Sequence, residues 1–340
     1  MRNQHSQRSS VSSHAHSDRQ RLVNDQADYE VVKPLRSTTK SRSHEVLYLI
    51  EDCDSEELFV QKRLNMTTAA SRGRATSERN ALWQIMARAN ASAHVVQRVE
   101  AFYDGHDALS YLFLAYCDNG NIEDFIHRYH VAHKSLPEDF AWHVLASLAS
   151  ALCTCHYGIN HVAVMDSAPS NWRMLCHLEA KPSNVWLTTQ QKVGFFPRVV
   201  LIGFDFVSTK DDIATRKAHD SVARFGNWQW MPPEGRLRRD DFGQKDLQLG
   251  SATDVWQVGG VIQAMCRLDT VPRMEEVDAD QPVCGKDFSS ALNNLVACCM
   301  QRDWRHRPSA MGLAKEVQRE MYRRVQRKAR RTEGSGYAVA

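Results

Sequence analysis

The stretch His177-Leu-Glu-Ala-Lys-Pro-Ser-Asn184 decides the fold. It gathers a carboxylate (Glu179), an ammonium (Lys181) and a carboxamide (Asn184) in one short loop. An irregular segment at 158–175 precedes it and a strand-like run, Val185–Leu187, follows it. A carboxylate within hydrogen-bond reach of a hydroxyl can take its proton. An amide oxygen is a hard donor of the kind Mg²⁺ accepts.

Outward from it, the chain divides into strands first and helices second. Tyr29–Pro34, Val46–Glu51, Glu57–Leu64, Val95–Phe102 and Ser110–Tyr116 read as strands, with a turn at Asp52-Cys-Asp-Ser. Ser77–Ala89 has helical periodicity through Leu82, Ile85 and Met86. After Gly120 the helical pattern dominates: Ile122–His130, then a helix opened by Pro137-Glu-Asp, then Thr253 to about Arg324. Arg198–Ile202 pairs with Val185–Leu187. This order predicts an α+β fold. With 340 residues, 43% of them hydrophobic, a sizeable core forms. A net charge of +3 argues against a dedicated nucleic-acid binder. The nine cysteines include no CxxC pair and read as reduced thiols, and the 15 histidines show no metal-type spacing. No apolar leader or run of membrane-spanning length is visible, so no membrane association is expected and a cytoplasmic or nuclear setting is.

The motifs taken together resemble the protein kinase superfamily over about residues 29–325, and within it NIMA-related serine/threonine kinases. Residues 177–184 resemble its H-R-D-L-K-P-x-N loop, and Phe59-Val-Gln-Lys62 resembles V-A-I-K. Leu112–Phe125 resembles the hinge, Met231-Pro-Pro-Glu234 resembles A-P-E, and Thr253-Asp-Val-Trp256 resembles the start of a buried helix. The resemblance implies a bilobal architecture, with an N-lobe of about 29–114 and a C-lobe of about 118–325. Residues 1–28 would be a disordered polar tail and 326–340 a basic, flexible one. It implies that Lys62 holds ATP phosphates and pairs with Glu78. Leu114 would be the gatekeeper, with Ala115, Tyr116 and Cys117 facing the adenine. Glu179 and Lys181 would be the catalytic pair, Asn184 a nucleotide and metal ligand, and Asp205 a second metal ligand. Asp254 would bind the catalytic-loop backbone, and Arg307 would pair with Glu234.

The departures fall on the chemistry. No glycine lies between Tyr29 and Leu64, where a phosphate loop needs close backbone approach; Lys40 and Arg42 stand there instead. The D-F-G segment is Gly203-Phe-Asp-Phe206. One register puts Gly203 at the metal-binding Asp and another makes Asp205-Phe206 the motif. Glu179 replaces Asp and is one methylene longer, and a misplacement of ~1 Å can cost on the order of a hundredfold in rate. Leu178 replaces the Arg that receives an activation-segment phosphate, although Ser208, Thr209, Thr215 and Ser221 lie in that segment. Asn227 stands where a Thr is common.

Three readings follow. The first is a pseudokinase acting on protein partners, with ATP binding and Mg²⁺ left open. The second is an attenuated serine/threonine kinase using Glu179 and Asp205. In the third, the basic run Arg319–Arg331 binds nucleic acid or an anionic membrane.

Overall fold

The computed structural model describes residues 21–24, 27–35, 45–88, 92–159, 171–193, 195–215, 217–218, 226–236 and 249–335. Lys40, Arg42 and Ser221 lie outside the described residues, as do residues 1–20 and 36–44.

The smaller lobe is an antiparallel sheet of β1 (Arg21–Asn24), β2 (Ala27–Leu35), β3 (Glu45–Asp52), β4 (Leu58–Asn65), β5 (Arg98–Asp104) and β6 (Leu109–Ala115). Its strand order is β1-β2-β3-β4-β6-β5. Asp52 makes the tight β3–β4 turn, its Oδ1 accepting from the N–H groups of Asp54 and Ser55. Alternation along β4 sends Phe59 and Gln61 to one face and Val60, Lys62 and Leu64 to the other. The first face closes over a small aromatic core of Tyr29, Phe59, Tyr111 and Phe113. The second meets α1 (Ala69–Met86), which buries Ala75, Glu78, Leu82 and Ile85. Glu78 thus sits on the same stripe as two core side chains, which aims it at the sheet.

The larger lobe holds α2 (Ile122–Val131), α3 (Glu138–Tyr157), β7 (Leu175–Cys176), β8 (Val185–Val193), β9 (Phe196–Leu201), β10 (Ser208–Thr209), α4 (Lys210–Ala214), α5 (Ser251–Arg267), α6 (Met274–Asp278), α7 (Ser290–Cys299) and α8 (Ala310–Ser335). β8 pairs with β9, and β10 with β7. Helices α3 and α5 are buried almost all round, as their near-continuous apolar sequences require. At Gly259 a Cβ would stand 2.8 Å from Cys299 and Met300, so glycine lets α5 and α7 touch. Segment 94–96 joins the lobes: Val96 N–H donates to Leu201 O and Leu201 N–H to His94 O.

Four sequence expectations need correction. Residues 21–24 do not belong to a disordered tail: they pair with β2, placing Leu22 opposite Tyr29. The β2 edge offers unpaired backbone groups, and Leu22-Val23 suits a strand. At the other end, the tail expected from 326 continues α8 as helix to Ser335. Its Arg, Gln, Lys and Ala residues are good helix formers. Helix α1 begins at Ala69 rather than Ser77, because Thr68 and Ser71 form a reciprocal capping box. β5 begins at Arg98, since Val95 bridges to Leu201 across the lobes.

Part of the basic run is architectural. Arg324 donates to Glu138 at 2.6 Å and to Asp139 at 2.7 Å, fastening α8 to α3. Arg323 and Arg327 both pair with the buried Glu320. These contacts occupy Arg323, Arg324 and Arg327 of the basic run. Among the described residues, no helix is long and apolar enough to cross a membrane.

Arg307 is a buried cation of this lobe. It grips Glu234 with two bonds of 2.6 and 2.8 Å and also donates to the carbonyls of Gln301 and Ala252. Both side chains are fully or almost fully buried. Breaking such a pair leaves an uncompensated buried charge. Arg307→Ala should lower unfolding stability by about 3–5 kcal/mol in urea titrations. A variant that unfolds with the parent would show that the pair does not hold the lobe.

Candidate functional site

The cleft between the lobes is organised by Lys62. The β4 register sets Lys62 opposite Leu112 and Val60 opposite Leu114. Lys62 is buried, with its Nζ 2.8 Å from Glu78 Oε2 and 2.5 Å from Asp205 Oδ1. The expected Lys62–Glu78 pair is therefore formed, and Asp205 completes a carboxylate–ammonium–carboxylate triad. Burial works against the Asp205 charge, but Lys62, aided by Arg74 and Lys181, holds its carboxyl below the usual range.

Along the back of the cleft, Leu114 is buried at the end of β6 and Cys117 is buried just beyond it. Burial pushes the Cys117 thiol up to about 12, so it is a packing group, not a nucleophile. Tyr116 between them is half-buried. The Ala115 N–H is committed to Gln97 O, so that donor does not face the cleft. Asp118 then ties this connection to β8 through the Thr188 hydroxyl and the Thr189 N–H.

The catalytic-type loop lies below. Lys181 Nζ donates to Glu179 Oε1 at 2.6 Å. Asn184 Nδ2 donates to the Glu179 carbonyl at 2.9 Å and reaches its Oε2 at 3.3 Å. The structure thus brings Glu179, Lys181 and Asn184 together. Burial raises the Glu179 carboxyl, Lys181 opposes that, and the nearby charge of Asp205 adds to it. His177 is a neutral imidazole of fixed tautomer: Nε2–H donates to Ile202 O and Nδ1 accepts from the Glu179 N–H.

Asp254, at the start of α5, supports the loop as the sequence predicts. Its carboxylate accepts from the N–H groups of His177 at 2.9 Å and Leu178 at 2.7 Å, and from His156 Nε2 at 2.8 Å. These bonds hold Leu178 at φ 63°, a left-handed conformation that costs an L-residue about 1–2 kcal/mol. Sequence reasoning missed two of the supports, His156 and Gln257. Gln257 accepts from Ala180 N–H and donates to the carbonyls of Leu178 and Trp230. It lies one turn after Asp254 on the same helix face, and that i, i+3 spacing was the available signal. Cys176 also comes close to His156 and Asp254, in a trio of metal-binding dimensions. The Asp254 oxygens are already filled by three N–H donors, which accounts for the cluster without an ion.

In the Gly203 segment Phe204 meets His177 edge-on with ring centroids 4.7 Å apart, and Phe206 is buried as well. Gly203 has φ 78°, where L side chains are strained, and a Cβ there would lie 2.8 Å from the Asn184 side chain. The position facing Asn184 therefore has no carboxylate, and Asp205 spends its own on Lys62. Mg²⁺ asks for several hard oxygen ligands. Asn184 Oδ1 is one such donor, and the residues around it do not make up a fitting set. Lys62 would fit a phosphate only in exchange for Asp205.

A protein kinase domain matches residues 43–319. The chain belongs to the protein kinase family. It is similar to serine/threonine-protein kinase Nek1 of Toxoplasma gondii, 28% identical over 59% of this chain and 12% of the relative. G2-specific protein kinase nimA of Emericella nidulans is 26% identical over 60% of this chain and 29% of its own length. Human serine/threonine-protein kinase Nek2 is 22% identical over 83% of this chain and 57% of its own. The chain thus spans between about one eighth and three fifths of these relatives. The NIMA-like resemblance and the bilobal kinase fold both hold.

Within this kinase fold, Leu178 has a different surrounding from a phosphate-binding Arg. It is fully buried with Cys176, Phe206, Met231 and Leu249. The hydroxyls of Ser208 and Thr209 are likewise committed, to Phe206 O and Asp212 respectively. Asn227 caps a short turn by accepting from the Gln229 N–H.

The raised Glu179 carboxyl has a consequence for stability. Its ordinary value is 4.5. Above that value the unfolded chain ionises before the folded one does, so folding loses ground as pH climbs through the window up to the folded value. Glu179→Gln lacks this titration. The stability difference should therefore move in the variant's favour as pH rises above about 4.5 towards the raised folded value. A difference that stays flat, or favours the parent increasingly, would contradict the raised value; paired thermal melts decide it.

Proposed function

We propose that this kinase-family chain is a pseudokinase, a regulatory module that works through protein partners and transfers little or no phosphate. The observation that carries the reading is Gly203. A residue without a side chain faces Asn184, and the neighbouring carboxylate of Asp205 is bound to Lys62. The longer Glu179 adds to this, because its carboxylate is buried and tied to Lys181 and Asn184. A general base has to be free to reach its proton. What survives is architectural: Lys62–Glu78, the Asp254 anchor and Arg307–Glu234 keep the lobes in order.

One observation favours a second reading, an attenuated serine/threonine kinase. Asp205 reaches the cleft beside Lys62, so a carboxylate is present although displaced by two positions from Gly203. If nucleotide displaced it from Lys62, Asp205 would be the available metal carboxylate and Glu179 the base.

Radiolabelled ATP with Mg²⁺ or Mn²⁺, offered casein or the chain itself as acceptor, separates the two. The pseudokinase reading expects incorporation no higher than that of Lys62→Ala. Incorporation at least tenfold above it, lost in Asp205→Asn, would establish the attenuated enzyme. A thermal shift with ATP alone belongs to the same experiment. A ligand that binds only the folded state raises the midpoint. The pseudokinase reading expects any rise to be the same with and without Mg²⁺.

A further inference from the structure

The larger lobe carries a cavity of about 450 Å³ between α2, the start of α3 and the β8–β9 hairpin. That volume lies within the usual range of ligand pockets, about 300–1,000 Å³. Its walls are aromatic: Phe125 and Tyr129 from α2, Phe140 from α3 and Phe196 from β9. The rings pack on one another, with centroids 4.1 Å apart for Phe125–Tyr129 and 5.3 Å for Phe140–Phe196. The floor is therefore preformed. Phe195, next to the lining Phe196 in sequence, is fully exposed, and Val131, next to the lining Ala132, is 62% exposed. Exposed apolar side chains of this kind favour a polypeptide occupant.

Charge selects the kind of segment. Arg128 and Lys134 line the cavity, and no carboxylate does. Both cations are exposed, and no ion pair joins either to a described residue. In the same lobe Arg267, Arg273, Arg302, Arg307 and Arg324 each lie on a carboxylate. Two free cations beside an aromatic slot complement a segment that offers acidic side chains and one large apolar anchor. Aromatic anchors in preformed pockets dominate such interfaces, and charges at the rim set partner choice.

We propose that this groove docks a partner protein through an acidic segment with an aromatic or large aliphatic anchor. The anchor enters between Tyr129 and Phe196, and the acids meet Arg128 and Lys134. None of these residues belongs to the Lys62 cleft, so docking does not depend on whether phosphate transfer survives.

The test is a selection of randomised short peptides on the full chain, followed by fluorescence anisotropy of the enriched peptides. The expected result is a consensus of an aromatic residue with at least two Asp or Glu nearby. Affinity should fall at least tenfold in Arg128→Glu/Lys134→Glu, and that variant should melt with the parent because both side chains are exposed. Failure to enrich any peptide, a basic or uncharged consensus, or undiminished binding to the double variant would overturn the proposal. Sedimentation supplies one further outcome. A parent dimer that the double variant dissociates would make a second copy of the chain the occupant, and would overturn the proposal too.

Discussion

The ammonium of Lys62, held between Glu78 and Asp205, is the contact on which the rest of the cleft depends. Each of its three groups comes from a different part of the chain: the sheet, helix α1 and the segment after β9. Burying three charges has a desolvation cost that only close, well-formed pairing offsets. The geometry supplies such pairing at 2.8 and 2.5 Å. With two carboxylates to one ammonium the cluster carries net negative charge, which Arg74 and Lys181 moderate. Removing Lys62 would leave two buried carboxylates without their shared cation. The triad therefore fixes the relation between α1 and the lower lobe, and it also occupies the ammonium that a phosphate would otherwise approach.

A second constraint is the anchoring of the loop to α5. Asp254 and Gln257, one helical turn apart, satisfy the backbone of residues 177–180 and hold Leu178 in a left-handed conformation. Such strain persists only where the surroundings over-determine it. Here the side chain of Leu178 is then spent on an apolar cluster with Phe206 and Met231. Leu178 contributes hydrophobic contact there and carries no charge to answer a phosphate. The Asp254 anchor and the Arg307–Glu234 pair are in place, and Asp205 lies in an ion pair with Lys62.

Much of the fold was legible in the sequence because it rests on local patterns. Alternation in β4 and the Pro-Glu-Asp opening of α3 point to their elements directly. Glu234 and Arg307 stand 73 residues apart, yet the motifs around them were enough to pair them. The α1 start was missed because its cap, Thr68 with Ser71, precedes an apolar-poor first turn. The β1 strand and the end of α8 were missed because polar residues there read as tails, and backbone pairing or helix continuation overrides that composition. At the site, the pairing of Lys62 with Glu78 was legible and the partner of Asp205 was not. A linear register can place an Asp beside a Gly, but it cannot say that the carboxylate reaches back across the cleft to Lys62.

The most direct test is a crystal structure of the chain grown with ATP and Mn²⁺, examined for anomalous scattering from the metal. The account predicts Lys62 Nζ still on Asp205 and no manganese peak between Asn184 and Gly203. A peak ligated by Asn184 and Asp205, with Lys62 transferred to phosphate, would contradict it.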